Sequence, residues 1–514
     1  MKKDNLYFDA QHRLQNGIEK IAQAVGSTMG TAGSNAIIER IENPGHIMTN
    51  DGYSIANAIK FADPIEDMGR KILLESINRA NKASGDGSST TCVTTAAIIK
   101  EGLRHTSETH PMTLKREMED CLPLIKQSLE DQSVKVIDDN GQVNTVLMEQ
   151  VATISAEDPT IGKMIADIYK EIGKDGIIYW DTSKTPEDSY KIGTGITMEG
   201  AGYVTPYLCD ATDGGQNTMQ VRIKKPKILI TKQKLTNAAE VDKIAAALYE
   251  QDVRDLIVFC NEIEPLMLGS LVQTRLQRGF RVIPVKMPVL WQDQWYEDLA
   301  KVTGAQVIDP TAGLSLKDVT LEHLGTVENI LVTQEDTFLD GIKDISDYVQ
   351  ELKDKKTDDD ELRASRLNTK TARYYVGAHS ESALSYRRLK VEDAIGATHH
   401  ALQNGIVPGG GVALLNTTKT LPDTVGGRVL KEALKAPINQ IIKNSGKTVD
   451  INTLGGTVGF NTVTGETTDM MQAGIVDPVN VVYNAVENAI SVSATVLTAP
   501  TIVSFPYEDT ENVL

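Results

Sequence analysis

The chain has 514 residues, far more than one hydrophobic core can hold, so two to four domains are expected. Apolar residues make up 40% of the chain and charged residues 24%, a globular composition that excludes a disordered or fibrous protein. The formal charge of -18 argues against a nucleic-acid-binding protein, which would carry a basic surface.

The cysteines and the N-terminal segment indicate a reducing compartment. Four cysteines are scattered without a CxxC spacing, so neither a disulfide framework nor a zinc site is indicated. The first residues lack the apolar core of a signal peptide, and no apolar run is long enough to span a membrane. We therefore expect a cytoplasmic protein without a membrane partner.

The first 131 residues predict a mostly helical region. Apolar residues from Leu14 to Val25 follow the spacing of one buried helix face. Two short apolar runs around the Asn43-Pro44-Gly45 turn predict a hairpin, which ends at Asn50-Asp51-Gly52. A long helix is predicted from Asp63 onward.

The stretch from Asn81 to Arg104 predicts a helix end, a glycine turn with one aspartate, and a second helix. Gly85 and Gly87 allow the turn, and the hydroxyls of residues 88–91 are expected to cap the second helix. A helix N-terminus behind glycines binds anions, and Asp86 among phosphates would require a divalent cation. An ordinary polar cap with an Asp-Gly turn is the alternative, because the Walker lysine motif does not occur.

The remainder of the chain changes character twice. Residues 132–193 predict a small mixed segment with a strand at Gly176–Trp180, and residues 203–345 alternate β-rich runs with amphipathic segments, as in an α/β layer domain. A charged helical stretch follows, and the final hundred residues are helical again. This order suggests one helical domain built from both ends of the chain.

Seven glycine-containing or acidic motifs occur in a characteristic order: STMGTAGSN, TNDGYS, GDGSSTT, ATISAED, KVEDAIGAT, GIVPGGGVAL and AGIVDP. Together they resemble the group I, bacterial-type chaperonins over nearly the whole chain. The resemblance implies a multi-domain α+β fold: an all-α equatorial domain from residues 1–131 and 404–514, a small mixed intermediate domain from 132–193 and 371–403, and an α/β apical client-binding domain from 194–370.

The resemblance also implies an ATP and Mg²⁺ site, with K⁺ as a further candidate ion. Asp86 matches the magnesium ligand, Asp51 the carboxylate beside the γ-phosphate, and Asp393 the catalytic aspartate. The alternative for Asp393 is an ordinary helix carboxylate exposed to solvent. The implied phosphate cradle comprises Thr28, Met29, Gly30, Gly85, Asp86, Gly87, Ser88, Ser89 and Thr90. The implied nucleoside contacts are Gly410 against the ribose, Asn461, Ile475 and Asp477 in the pocket wall, and Ile154 and Ser155 at its outer edge.

The partners that the resemblance implies are other copies of the chain in a ring, heptameric in this family, non-native client proteins and a co-chaperonin lid. Glu381 matches a contact to a neighbouring apical domain. The implied client-binding positions are Tyr203, Thr205, Tyr207, Leu208, Leu268, Leu271 and Val272. The last three have a spacing that fits the core face of a helix equally well.

Several positions depart from the family pattern. Thr31 replaces a proline and Asn50 a lysine, while Thr369 and Lys370 replace hinge glycines. Asp242 and Ala245 stand at apolar positions of the client groove. The segment of residues 444–456 is a few residues shorter than the family pattern. Because this region contributes to ring stacking in the family, the shortening suggests a weakened or absent second ring. This divergence suggests a specialised member, such as a virus-encoded one.

The sequence thus predicts an ATP-hydrolysing chaperonin subunit that encloses non-native proteins for folding. A passive ring-forming holdase with little ATP turnover stays open, because Asn50 and the lost hinge glycines favour it. An unrelated monomeric ATP-dependent enzyme is the third interpretation.

Overall fold

A computed structural model describes residues 6–8, 10–39, 46–138, 140–211, 219–288, 292–355, 357–367, 369–499 and 501–503. The chain divides into two compact units. Unit 1 comprises residues 1–174, 180–190 and 374–514, and unit 2 comprises residues 175–179 and 191–373. The predicted three-domain boundaries stay a prediction.

The N-terminal region is mainly helical. Its elements are β1 (Leu6–Phe8), α1 (Gln11–Gly26), β2 (Ala36–Glu39), β3 (His46–Thr49), α2 (Gly52–Ala58), α3 (Pro64–Ser84), α4 (Ser88–Arg104), α5 (Pro111–Glu119), α6 (Leu122–Asp131), α7 (Thr145–Ala156) and α8 (Pro159–Ile172). Strands β2 and β3 pair antiparallel, as the predicted hairpin requires, and the predicted turn at residues 43–45 lies outside the described residues.

The middle of the chain contains most strands. Its elements are β4 (Ile177–Thr182), β5 (Ser189–Met198), β6 (Val221–Lys224), β7 (Lys227–Thr231), α9 (Ala239–Glu250), β8 (Asp255–Cys260), α10 (Pro265–Arg278), β9 (Arg281–Lys286), α11 (Gln292–Thr303), β10 (Val307–Ile308), β11 (Asn329–Val332), β12 (Thr337–Asp340), α12 (Ser346–Lys355), α13 (Asp358–Leu367) and β13 (Thr369–Val376).

The C-terminal region is helical with short strands. Its elements are α14 (Glu381–Asn404), β14 (Ile406–Pro408), α15 (Val412–Thr417), α16 (Val425–Ala433), α17 (Ala436–Asn444), β15 (Val458–Asn461), β16 (Glu466–Asp469), β17 (Val476–Pro478), α18 (Val479–Leu497) and β18 (Thr501–Val503). The helices and strands, and their order along the chain, agree with the predicted α+β class.

The two chain ends share one hydrophobic core in unit 1. Helix α18 packs against α4, and Ile98 of α4 belongs to the same buried cluster as Ala489 and Ile490 of α18. Ser493 Oγ of α18 also donates to the Thr95 carbonyl of α4 at 3.3 Å. A second cluster contains the predicted inner face of α1, with Ile18 and Ile21 fully buried.

Unit 2 is built on a parallel sheet. Strands β10, β7, β8 and β9 lie side by side in that order, and β7, β8 and β9 run parallel. Each reads as a continuous apolar run because helices cover parallel sheets on both faces. Strands β5, β12, β11 and β6 form antiparallel pairs in a second sheet. Within the described residues, we find no helix whose length and hydropathy would allow it to cross a membrane.

Candidate functional site

The turn between α3 and α4 forms the base of the site. Gly85 ends α3 with φ 67°, and Gly87 precedes α4 with φ 88°, so both adopt left-handed conformations that favour glycine. The predicted hydroxyl caps are wrong: no side chain caps α4, and Thr91 Oγ1 donates instead to the Gly87 carbonyl at 2.9 Å. The first N–H groups of α4 therefore stay available for an anion.

The Asp86 carboxylate is fixed from two sides. Its Oδ1 accepts a hydrogen bond from the Gly87 N–H at 2.5 Å, and its Oδ2 accepts one from Ser155 Oγ at 2.8 Å. Burial raises the pKa of Asp86 despite these hydrogen bonds, which act in the opposite direction. The ionised form of Asp86 thus gains from a cation placed against it.

Asp51 faces the same space from the start of α2. Its carboxylate caps that helix by accepting hydrogen bonds from the Tyr53 and Ser54 N–H groups, at 3.3 and 2.7 Å. The next residue, Gly52, must be small, because a Cβ there would lie 2.8 Å from Ser89 Oγ. This contact brings the start of α2 against the start of α4.

The loop after α1 closes one side of the site. Asn444 donates from Nδ2 to the carbonyls of Gly26 and Met29, at 2.7 and 2.8 Å, and so fixes the loop. Thr28 Oγ1 donates to the Val25 carbonyl at 2.7 Å. Gly30 has φ 76°, which again favours glycine.

Asp393 lies in the interior of α14, which packs against α7. Burial, and then the neighbouring carboxylates of Asp86 and Asp51, raise the pKa of Asp393 well above its ordinary value. The alternative of a freely solvated helix carboxylate is therefore not supported. Three carboxylates from three separate segments influence one another across the same space.

Another wall of the site, where the resemblance places the nucleoside, is built from β14, β17 and the turn after β14. Val407 pairs with Asp477 in this sheet, and the Gly409 N–H donates to the Ile475 carbonyl at 2.9 Å. Gly410 follows with φ 64°. Burial, and then the charge of Asp86, raise the pKa of Asp477 to about 7. Asn461 Oδ1 accepts a hydrogen bond from the Val463 N–H at 2.9 Å, which orients its side chain.

These segments enclose a cavity of about 470 Å³ within unit 1. It is lined by every predicted nucleotide-site residue except Gly85, which shapes the turn from behind: Thr28, Met29, Gly30, Asp51, Asp86, Gly87, Ser88, Ser89, Thr90, Ile154, Ser155, Asp393, Gly410, Asn461, Ile475 and Asp477. Residues predicted from all seven motifs thus come together around one space.

The sequence reasoning missed several lining residues as site residues, among them Asn50, Glu157 and Lys390, which contact one another. Asn50 was treated only as a lost lysine, and Glu157 and Lys390 were not selected. Lys390 Nζ lies 2.9 Å from Glu157 Oε1, and Asn50 Nδ2 donates to both oxygens of Glu157, at 3.0 and 2.9 Å. A usable signal was present, because Glu157 lies within the motif ATISAED and Lys390 begins KVEDAIGAT.

The carboxylates fit a divalent cation that is shared with a phosphate ligand. Among the described residues, no group of three or more side chains could hold a metal ion by itself. Mg²⁺ needs no such group, since it is usually held by one or two carboxylates together with substrate phosphates. Asp86, fixed by Ser155 and the Gly87 N–H, suits that arrangement.

The predicted client-binding residues of unit 2 divide into two groups. Tyr203, Thr205, Leu208 and Leu271 are buried, and three of them belong to the hydrophobic core, so they cannot touch a client in this conformation. Tyr207 is 72% exposed, while Leu268 and Val272 are half-buried. For Leu271 the core interpretation is correct. The large exposed apolar residues of α10 are instead Leu266 and Leu276.

Comparisons with known proteins agree with this architecture. A model of the TCP-1/cpn60 chaperonin family matches residues 21–505. Two crystal forms of the chaperonin gp146 from bacteriophage EL 2 (Pseudomonas aeruginosa), both in the presence of ATP-BeFx, are similar in fold at 19% sequence identity. Form II has a TM-score of 0.68 over 97% of this chain and 98% of that one, and form I has 0.63 over 98% and 99%.

Proposed function

Because the chain belongs to the TCP-1/cpn60 chaperonin family, we propose that it is an ATP-hydrolysing chaperonin subunit. It assembles into homo-oligomeric rings, binds non-native polypeptides and assists their folding in an enclosed chamber. The observation that carries this proposal is the unit 1 cavity, where the uncapped N-terminus of α4 meets Asp51, Asp86 and Asp393.

The cavity supports the proposal because each wall suits one part of ATP. The first N–H groups of α4 donate to phosphate oxygens, and Gly30 lets the loop after α1 come close to them. Gly410 lets the backbone approach the ribose, and Ile475 offers an apolar surface to the base. When bound, Mg²⁺ supplies positive charge at the phosphates and favours the ionised forms of neighbouring carboxylates.

Asp393 is the proposed general base. Its carboxylate accepts the proton of the water that attacks the terminal phosphate, and it must be ionised to do so. Burial and the adjacent carboxylates raise the pKa of Asp393, so further positive charge that enters the cavity favours the ionised base. Asp51 accepts a hydrogen bond from the same water and orients it.

Client binding is proposed for the exposed apolar residues of unit 2. Leu266 and Leu276 are 85% and 79% exposed on α10, and the Tyr207 carbonyl accepts a hydrogen bond from Arg275 of that helix. Large exposed apolar side chains along one helix can contact an apolar client segment. Asp242 is exposed on α9, which limits the apolar surface there.

The wider assembly follows the family pattern in this proposal. The subunits form a cytoplasmic ring, heptameric as in the family, that accepts a co-chaperonin lid and engages neither membranes nor nucleic acid. Virus encoding of the gene and weakened ring stacking through residues 444–456 belong to the same proposal. Native mass spectrometry of the purified protein measures ring size and ring number directly, and a particle of one subunit's mass would contradict ring assembly.

The decisive experiment compares ATP binding and steady-state hydrolysis in the parent, Asp393→Asn and Asp393→Ala. We expect both variants to bind ATP and to hydrolyse it at least about 100-fold more slowly, the usual contribution of a general base. Glu392→Gln is the matched control, because it removes the same charge from the adjacent position of α14 and does not line the cavity. Equal turnover in all four proteins would show that Asp393 is not the base.

A passive ring-forming holdase is the second candidate. Asn50 favours it, because this lining residue stands in place of a lysine and brings no positive charge to the phosphates, whereas the carboxylates of Asp51, Asp86 and Asp393 argue against it. Under that alternative the parent forms rings and holds clients but shows no more hydrolysis than Asp393→Ala.

A further inference from the structure

The charge lining the cavity is strongly unequal. Among the described residues that line it, Lys390 is the only lysine or arginine. The carboxylates that line it are Asp51, Asp86, Glu157, Asp393 and Asp477. We propose that Lys390 is the phosphate-binding cation of this site, and that Glu157 holds it beside the cavity until ATP arrives. This inference rests on the proposed function and adds a binding residue to it.

Lys390 is placed to reach a bound phosphate. It lies three residues before Asp393, so the two side chains project from the same face of α14. Lys390 is only 8% exposed. Its ammonium group interacts electrostatically with the carboxylates of both Asp86 and Asp393. A buried ammonium is costly unless it is paired, and its partner here is Glu157 Oε1 at 2.9 Å.

Glu157 does not depend on Lys390 for its own hydrogen bonds. Asn50 Nδ2 donates to both carboxylate oxygens, and about a third of the Glu157 side chain is exposed to water. Its backbone is left-handed, with φ 56° at the end of α7, a conformation that few non-glycine residues adopt. Glu157 is therefore held in place by Asn50 and solvent when Lys390 turns away. The flexible four-carbon stem of lysine permits that turn.

A purely structural role for the pair would be to fasten α14 to the end of α7. That task is already performed one turn earlier on α14, where Arg387 pairs with Asp158 at 3.1 Å and with Asp188 at 2.5 Å. A second structural ion pair at Lys390 would not need to lie in the cavity wall. The position of the ammonium among the carboxylates instead fits a group that exchanges Glu157 for an anion.

The test measures the dissociation constants of ATP and ADP, each with Mg²⁺, by titration calorimetry on the assembled protein. We expect Lys390→Met to weaken ATP binding by about tenfold or more, because a charge-assisted hydrogen bond is lost, and to weaken ADP binding much less. Glu157→Gln should strengthen ATP binding several-fold, since the ammonium loses its competing carboxylate. Lys390→Arg should retain the preference for ATP.

Opposite changes in ATP affinity in Lys390→Met and Glu157→Gln distinguish a phosphate-binding role from a structural ion pair. If the pair is only a fastener, both variants weaken ATP and ADP binding in parallel, which would overturn the inference. Arg387→Met is the control: it removes a neighbouring cation of α14 outside the cavity and should change ATP and ADP affinity equally. Circular dichroism verifies folding, and if Lys390→Met does not fold, Lys390→Gln replaces it.

The inference and the proposed function fail in different ways. A parent protein that binds no ATP overturns both. A parent that binds and hydrolyses ATP, beside a folded Lys390→Met variant with unchanged affinity for ATP, overturns the role of Lys390 alone. A double variant, Lys390→Met with Asn50→Lys, places an ammonium group at the same Glu157 carboxylate. We expect this second change to recover part of the ATP affinity that Lys390→Met loses.

Discussion

Gly396 offers a direct test of how the helix that carries Asp393 is seated against the turn that carries Asp86. A Cβ atom added at Gly396 would lie 3.1 Å from the Cα of Gly85 and 3.3 Å from the Ser84 carbonyl oxygen. Both neighbours are backbone atoms, which cannot rotate away as a flexible side chain would. Gly396→Ala therefore has to move α14 and the turn apart by a few tenths of an ångström.

Two terms set the effect on stability. Alanine in place of glycine within a helix contributes roughly 1 kcal/mol of stabilisation, and overpacking a close contact costs about 1–3 kcal/mol. Gly396→Ala should thus be neutral to destabilising by about 2 kcal/mol. Gly269→Ala is the matched control, because Gly269 lies within α10 with no atom in the way, and it should be stabilising by roughly 0.5–1 kcal/mol.

The effect on catalysis is larger than the effect on stability, because small displacements of a reacting group are costly. We expect Gly396→Ala to lower the rate of ATP hydrolysis by about tenfold with little change in ATP affinity. Urea unfolding followed by circular dichroism and steady-state hydrolysis measure the two effects. If Gly396→Ala and Gly269→Ala stabilise equally and both hydrolyse ATP at the parent rate, the reasoning from this contact is refuted.

Two further predictions concern charge and client binding. Burial raises the pKa of Asp477 to about 7, above its unfolded value, so the native state binds the extra proton and loses stability as pH rises from about 4 to 7. Asp477→Asn should therefore raise the thermal unfolding temperature of the nucleotide-free protein at about pH 8 and leave it unchanged near pH 4, whereas a pH-independent difference would contradict this. Leu266→Ser with Leu276→Ser should weaken capture of a denatured client, measured by light scattering, and should barely alter the free energy of unfolding, because both side chains are exposed. Leu271→Ala should lower the free energy of unfolding by about 2–5 kcal/mol, measured by urea unfolding, because Leu271 is buried.

The features that could be predicted from the sequence are those set by nearby residues. The turn at Gly85 and Gly87 needs left-handed backbone at both positions, and glycine there is visible in the sequence itself. The strands β7, β8 and β9 are continuous apolar runs because both faces of a parallel sheet are covered. In each of these cases, local chemistry was sufficient.

The features that could not be predicted depend on which surfaces meet. Leu266 and Leu271 lie on the same helix and are equally apolar, yet one is 85% exposed and the other is 2% exposed, because only Leu271 faces the sheet. The cap of α4 was also mispredicted. A threonine hydroxyl can accept from a free N–H group or donate to the carbonyl four residues earlier, and Thr91 does the second with the Gly87 carbonyl.

The acidic lining also explains why glycines and hydroxyls alone do not define this site. Free N–H groups at the start of α4 attract any anion, including the carboxylates already present. Asp86, Asp393 and Asp477 all have raised pKa values, so the empty cavity carries an electrostatic cost that a cation-bearing ligand relieves. A ligand that binds the native state in this way stabilises it by mass action. We therefore expect the same carboxylates to disfavour free phosphate and to favour a phosphate that arrives together with a cation.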